Sequence, residues 1–494
     1  MQMNPEKFLK LLMCFCLLVA QYGCIQVADD NNNVNDPAVG DGSGDDTPED
    51  GFHIDTMLME SYFSDVLRGQ NADYTQSLEI DPENITDFQK FVWNIWTKTN
   101  NSFIEDKLPI PTSLYLMDNV AVNVSGAWTL SNGEDLVFIY GYKGAQPTDG
   151  FPLFLFLHGS GDNTEEFDLN LRAAKSFSDS PALYFIPRSP KSFNWCRWYQ
   201  PSRQYAWERL LRQAFLSGQV NPNQIYFIGI SEGAYGSQRL ASFYADYLAG
   251  AGPVAGGEQL FWAPPENCAS IAFCLQTGEY DTMYGRTLLN RRADEQWNHL
   301  QALHPGYYNH KIDLQPDFGH VCDYKVTTPY LKEFSRNPYP KYVYWENFPL
   351  GNINGEGSAF RNGFYNLYVK ERSTDDSDDF VRSCYEMVID ENNISLSVNV
   401  VTVIPDDPVF CEDIEDWEMS IGESKSFQQA SCGRIVIFLN DELVDLSKPV
   451  IVTVNGVEKF NGMVTPNLKD MVVSCAQYFD PARIFPASIE VSVE

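Results

Sequence analysis

The chain is poor in histidine and in positive charge. It has six histidines in 494 residues, and 34 Lys and Arg against 67 Asp and Glu, a formal net charge of −33. An acidic protein of this kind repels phosphate backbones and anionic headgroups. Nucleic acid is thereby excluded as a partner, and an anionic membrane surface as the main one. No pair of cysteines has C-x-x-C spacing and the histidines do not cluster, so no zinc-type ligand set is present and a protein without metal or cofactor is expected. A long apolar run is missing too. The run at Leu11 to Ala20 is short for a helix that crosses a bilayer. What is plentiful is core-forming mass: 44% of the residues are hydrophobic and 14% aromatic, enough for two or three domains.

Lys7 and Lys10 ahead of that apolar run give residues 1–23 the form of a lipoprotein-type signal peptide. The sequence Ala20-Gln21-Tyr22-Gly23-Cys24 resembles a bacterial lipobox, which would make Cys24 a lipidated N-terminus. Cleavage as an ordinary signal peptide is the alternative. The expectation is an exported outer-membrane lipoprotein, facing the periplasm or the cell surface and tied to the membrane by its N-terminal lipid. Residues 24–51 hold many Asp and Asn, no Lys or Arg, and almost nothing to bury; they read as an acidic, disordered tether.

Residues 52–108 read as a small helical addition. Phe88, Phe91, Val92, Ile95 and Trp96 recur at helical spacing behind Thr86 as N-cap, a stripe that belongs in a core. Residues 109–338 then alternate strand-like and helix-like patterns, which implies a largely parallel sheet with flanking helices. Leu153 to Leu157 is an unbroken apolar run, as in a strand covered on both faces, and it leads into His158-Gly159-Ser160-Gly161. Small residues there let backbone N–H groups face a cavity, the requirement for binding an oxyanion. Further strands are expected at Ala182 to Ile186, Ile225 to Ile228, Leu260 to Ala263 and Ile271 to Thr277, with Asn221 to Asn223 a turn.

Ile225 to Ile228 runs directly into Gly229-Ile230-Ser231-Glu232-Gly233, and a helix-like segment follows. A G-x-S-x-G between strand and helix is the sequence form of a nucleophile elbow. With H-G-x-G behind a buried strand upstream, the chain resembles the α/β-hydrolase superfamily. It is most similar to the group of esterase D, feruloyl esterases and polyhydroxyalkanoate depolymerases. The resemblance spans roughly residues 128–338, less than half of the chain. It implies the chain order Ser, then Asp or Glu, then His.

Four histidines follow Ser231: His299, His304, His310 and His320. His320 sits in a loop behind the strand-like His310 to Pro316, where a late-sheet loop can bring an imidazole over the elbow. The acid belongs after the preceding strand. Asp281 is placed there, with Glu279 its nearest competitor and Asp313 and Asp317 further off. Ser231 is thus the expected nucleophile, His320 the base and Asp281 the orienting acid. The backbone of Glu232 and one of Gly159, Ser160 or Gly161 would supply the oxyanion donors. Trp195, Trp198 and Tyr199, in a loop rich in aromatics, are candidates either for lining a substrate pocket or for packing.

Residues 339–494 change character. Short alternating strands such as YVYWENF, RIVIFLND and KPVIVTVNG lie between turn residues, with no long helix evident, so an all-β sandwich is expected. Val454-Asn455-Gly456 marks a tight hairpin. Beyond Cys24 there are eight cysteines, at 196, 268, 274, 322, 384, 411, 432 and 475, and an oxidising compartment would permit disulfides among them. The composite expectation is an exported serine hydrolase acting on a carboxylic ester, with acylated polysaccharide and aryl or acyl sugar esters as the expected substrate carriers. A serine peptidase of the same fold, or a catalytically inactive glycan-binding surface lipoprotein, would carry many of the same features.

Overall fold

The computed structural model describes residues 54–118, 124–192, 198–350, 359–375, 377–410 and 418–494. Cys24, the acidic tether and Trp195 lie outside them. All described residues belong to one compact unit.

A nine-stranded mixed sheet organises that unit. Its strands are β1 (Thr112–Ser113), β2 (Gly126–Thr129), β3 (Asp135–Lys143), β4 (Phe151–Leu157), β5 (Ala182–Arg188), β6 (Val220–Ile230), β7 (Gly250–Val254), β8 (Ala272–Gly278) and β9 (His310–Gln315). They run in the order β1-β3-β5-β4-β6-β7-β8-β9, with β2 beside β3. From β5 to β9 every pair is parallel, while β3 meets β5 and β2 antiparallel. The helices are α1 (Thr56–Leu67), α2 (Ile85–Asn100), α3 (Asn163–Ser176), α4 (Pro201–Leu216), α5 (Glu232–Tyr244), α6 (Arg286–Leu303), α7 (Thr327–Leu331) and α8 (Leu468–Tyr478).

The apolar run in β4 behaves as a doubly covered strand should. Leu153, Leu155 and Leu157 face one cluster with α4 and α5, and Phe154 and Phe156 face another with α3 and α7. β6 repeats the alternation with Ile225 and Phe227 against Tyr226 and Ile228. Fully burying such a side chain contributes about 1.5–3 kcal/mol, so these two strands anchor the layer on which Ser231 sits.

Four expectations need correction. Leu260 to Ala263 is a turn, and the strand in that region is β7, GAGPV. Its poverty in β-branched residues hid it. The close approach of α7 explains the composition, because a Cβ on Gly252 would lie 2.5 Å from Thr327 Cγ2. Asn221 to Asn223 falls inside β6, although the Asn221 side chain does accept from the Asn223 amide at 2.9 Å. α2 starts at Ile85, with Asn84 rather than Thr86 preceding it. The C-terminal part is not all-β, since α8 lies within it.

That helix is where the ends of the described chain meet. Met59, Phe63, Phe88, Val92 and Trp96 from α1 and α2 pack with Leu468, Met471, Val472 and Cys475 of α8. The remaining C-terminal strands form a six-stranded, a four-stranded and a small two-stranded sheet, and inner residues of the first two, Trp345, Leu396 and Ile437 among them, share one apolar cluster with Leu153 and Phe227 of the large sheet. The hairpin is present as read: Val454 pairs with Val457, and Asn455 and Gly456 both have positive φ. The described cysteines, at 268, 274, 322, 384, 432 and 475, are all free thiols. Five of them are buried, where they pack as small apolar groups. Cys196 and Cys411 lie outside the described residues.

Candidate active site

β6 ends at Ile230 and α5 begins at Glu232, leaving Ser231 at the bend with φ 56° and ψ −113°. Positive φ is strained for a residue with a Cβ, and surrounding structure must hold it. Here the Ser231 amide donates to the Val254 carbonyl of β7 at 2.9 Å. The neighbours must also be small. A Cβ on Gly229 would lie 2.0 Å from the Gly233 carbonyl oxygen, and one on Gly233 would lie 2.2 Å from that of Leu157. Strand and helix therefore nearly touch, and the serine is pushed out at the carboxyl edge of the sheet.

Two loops from that same edge bring the partners. The loop after β8 carries Asp281, and the loop after β9 carries His320. They are stitched together by Glu279 donating to the Gln315 carbonyl at 2.9 Å and Tyr280 to that of Phe318 at 2.8 Å. His320 Nε2 lies 3.1 Å from Ser231 Oγ, and its Nδ1 lies 2.8 Å from Asp281 Oδ2. The structure thus brings together the three residues in series. Glu279 pairs instead with Arg291, and His304 stacks on Tyr342, away from the serine.

Two residues beside this series had not been foreseen. Arg286, at the start of α6, is buried and donates from Nη1 to Asp281 Oδ1 at 2.9 Å and from Nε to the Tyr235 hydroxyl at 3.1 Å. Burial pushes the Asp281 carboxyl up, but the His320 hydrogen bond and the Arg286 charge outweigh it and leave the group below the ordinary range. The second is Glu166, on α3. The Gly159 amide hydrogen-bonds its carboxylate, and burial pushes that carboxyl up to about 7. A Cβ on Gly161 would lie 2.6 Å from Glu166 Oε1, so the carboxylate occupies the space beside the glycine loop. Neither has a local sequence signature. Each lies in a helix whose pattern reads as ordinary surface and core.

His158 packs against Trp198 behind the glycine loop. His158 is buried, accepts the Ser189 amide at Nε2 over 3.0 Å, and sits with Nδ1 2.6 Å from the Gly159 carbonyl. One nitrogen accepts and the other faces an acceptor, so the proton is on Nδ1. Burial lowers this imidazole to about 4, and it stays neutral near pH 7. Trp198 and Tyr199 are also buried. Trp198 donates its indole N–H to the His158 carbonyl at 3.0 Å and packs on Gly236. Both therefore stand on the packing side of the two roles weighed for them. The Glu232 side chain points inward as well, with its charge felt by Tyr235 and Tyr284. Among the described residues, no three His, Cys, Asp or Glu side chains group as a metal site would require.

Neither a protein-family model nor a curated protein sequence matches this chain. Among solved structures it is similar to a thermostable esterase, at 16% identity and TM-score 0.36 over 43% of this chain and 64% of that one. A ferulic acid esterase is similar at 12% identity and TM-score 0.28, over 42% of this chain and 94% of that one. An S-formylglutathione hydrolase from Agrobacterium tumefaciens is similar at 13% identity and TM-score 0.30, over 44% and 94%. The chain spans less than two thirds of the thermostable esterase's length. Likeness at this level carries no weight for the chemistry, which rests on the geometry of the site.

Proposed function

We propose that the protein is an exported serine hydrolase that cleaves carboxylic esters through an acyl-enzyme. The observation that carries this is the unbroken series from Ser231 Oγ to His320 Nε2 at 3.1 Å and from His320 Nδ1 to Asp281 Oδ2 at 2.8 Å. Ser231 Oγ attacks the ester carbonyl while its proton passes to His320 Nε2. The C–O bond to the leaving alcohol breaks as His320 returns that proton to it. Water then repeats the sequence on the acyl-serine and releases the acid. Asp281 holds the tautomer with the proton on Nδ1 and stabilises the imidazolium.

For the oxyanion, one donor is the Glu232 amide in the first turn of α5, where helix N–H groups lack partners within the helix. The Gly159 amide is engaged with Glu166, so the second donor falls to Ser160 or Gly161. Losing one such donor costs on the order of 10²–10³ in turnover.

An aryl or sugar ester is supported by the rim. Tyr280 and Phe318 flank the acid and the base and are 63% and 42% exposed. Exposed aromatic faces at that position suit an acyl group carried on a sugar or aryl ring. Residues 1–23 and Cys24 would deliver the protein as a lipid-anchored one at the bacterial envelope. A fluorophosphonate probe tests the central claim. Labelling of wild type that disappears in Ser231→Ala supports it, and a folded wild type that takes no label removes it. Turnover of short peptides but not of p-nitrophenyl acetate or feruloylated sugars would replace the esterase by a peptidase.

A further inference from the structure

We propose that Arg286 is a positioning residue of the Ser231–His320–Asp281 series: its guanidinium fixes one orientation of the acid and holds a positive charge beside the imidazole Nδ1, on the side away from the serine. The proposal rests on the serine-hydrolase reading above.

Asp281 has two carboxylate oxygens and uses them separately. Oδ2 accepts a hydrogen bond from His320 Nδ1 at 2.8 Å and Oδ1 accepts one from Arg286 Nη1 at 2.9 Å. With both filled, the carboxylate cannot rotate to offer His320 a different geometry. Arg286 Nη1 also lies 3.2 Å from His320 Nδ1. That contact is not a hydrogen bond when Nδ1 carries its proton, because a guanidinium only donates. It is a fixed positive charge facing the imidazole ring. A carboxylate beside a histidine favours the imidazolium, and a guanidinium beside it opposes it. The base needs the first effect during the reaction and the second before it.

The guanidinium is held from three sides. Nε reaches the hydroxyl of Tyr235, which lies on α5, the helix that begins beside the nucleophile. Nη1 joins the acid loop and faces the base loop. The Tyr284 ring stands 5.1 Å from its carbon centre. Tyr284 and Gly285 have φ of 58° and 66°, a pair of left-handed residues that turns the chain sharply from the Asp281 loop into α6 and sets Arg286 at the first position of the helix. The charged and titratable groups around this node are then Asp281 and His320 on the loops, the buried Cys322 thiol that feels the Asp281 charge, Tyr235 on α5, Tyr284 ahead of α6, and the Glu232 carboxylate, whose charge reaches both tyrosines. Arg286 is thus in direct contact with both Asp281 and His320.

A side chain that merely neutralised a buried carboxylate would affect stability and leave the pH dependence of the serine's reactivity unmoved. The test is the rate of fluorophosphonate labelling at Ser231 from pH 5 to 9, for wild type, Arg286→Gln and Arg286→Lys. Gln keeps a donor for Asp281 and removes the charge. Its acid limb is expected to move to higher pH by on the order of one unit, with labelling at pH 6 slower by about tenfold. Lys restores the charge without the fork. It should bring the limb back toward the wild-type position while the plateau rate stays below wild type. An Arg286→Gln limb that coincides with wild type overturns the proposal and leaves the serine-hydrolase reading intact. A wild type that is never labelled overturns both. Arg286→Met also removes the charge while filling much of the space of the side chain, and provides the decision should Arg286→Gln not fold: a limb displaced in the same direction supports the proposal, an unmoved one overturns it.

Discussion

The Gly159 amide donates to the Glu166 carboxylate, so a side chain that titrates near neutrality sits on the glycine loop behind the nucleophile. The Cβ position of Gly159 lies 3.0 Å from Glu166 Oε2 and 3.3 Å from Ser231 Cβ, which measures how closely the three groups are stacked. With burial raising this carboxyl from 4.5 to about 7, the folded protein binds its proton more tightly than the unfolded chain does. The stabilisation is complete below about pH 4.5 and is lost as pH rises through about 7. Glu166→Gln removes the penalty. It should be more stable than wild type at pH 8.5 by roughly 1–3 kcal/mol and should lose the advantage near pH 5, as read by urea denaturation at the two pH values. Equal stability differences at both would show that the carboxyl is not held as described.

His158 has the opposite dependence. Its imidazole is lowered from 6.5 to about 4 by burial, so the unfolded chain binds the proton more tightly. Stability from this group is present above about pH 6.5 and is lost as pH falls through about 4, by up to roughly 3 kcal/mol. The direct check is a long-range proton–nitrogen NMR spectrum of labelled protein at pH 5. It should show a neutral His158 with its proton on Nδ1. A charged His158 at that pH would contradict the Ser189 amide bond at Nε2.

The sequence presents Glu166 and His158 very differently. His158 heads a recognisable H-G-x-G, and the elbow around Ser231 was legible because strand, glycines and helix are contiguous. Asp281 and His320 could be chosen because both follow strand-like runs in the order such an elbow needs. Arg286 and Glu166 could not, since each gains its meaning only when separate loops and helices converge. β7 was hidden by glycines that α7 requires, and α8 by its place among strands, where its partners are α1 and α2, nearly four hundred residues earlier in the chain. Local periodicity reports a residue's own element. It is silent on which distant element fills the other side.

Asp246 tests how firmly the large sheet is tied to the C-terminal part. Just beyond α5, it is fully buried between two guanidiniums, with Arg483 Nη1 at 2.5 Å and Arg361 Nη2 at 2.9 Å from its Oδ2. Asp480 continues the network to Arg336 at 2.6 Å. Such a network adds little over apolar packing when whole, but removing one partner strands a buried charge at a cost of about 3–5 kcal/mol. Asp246→Asn should lower the denaturation midpoint accordingly. Tryptophan fluorescence and fluorophosphonate labelling should be lost together, because Asp246 follows directly on the helix that starts at the nucleophile. An unchanged midpoint would mean that the guanidiniums are satisfied without it.

The tightest prediction comes from two glycines that face each other across the acid and base loops. A Cβ on Gly278 would lie 2.1 Å from the Gly319 carbonyl oxygen, whereas one on Gly319 meets nothing within 4 Å. Gly319 has no positive φ, so alanine there costs no backbone strain and reduces the freedom of the unfolded chain. Gly319→Ala, although it neighbours His320, should therefore keep wild-type labelling and gain up to about 1 kcal/mol in stability. Gly278→Ala must instead push the two loops apart. Because a shift of about 1 Å near a reacting group can cost on the order of 10²-fold, its labelling rate should collapse even if the protein stays folded. Comparable activity in the two variants would mean that the spacing between the Asp281 and His320 loops does not control the site.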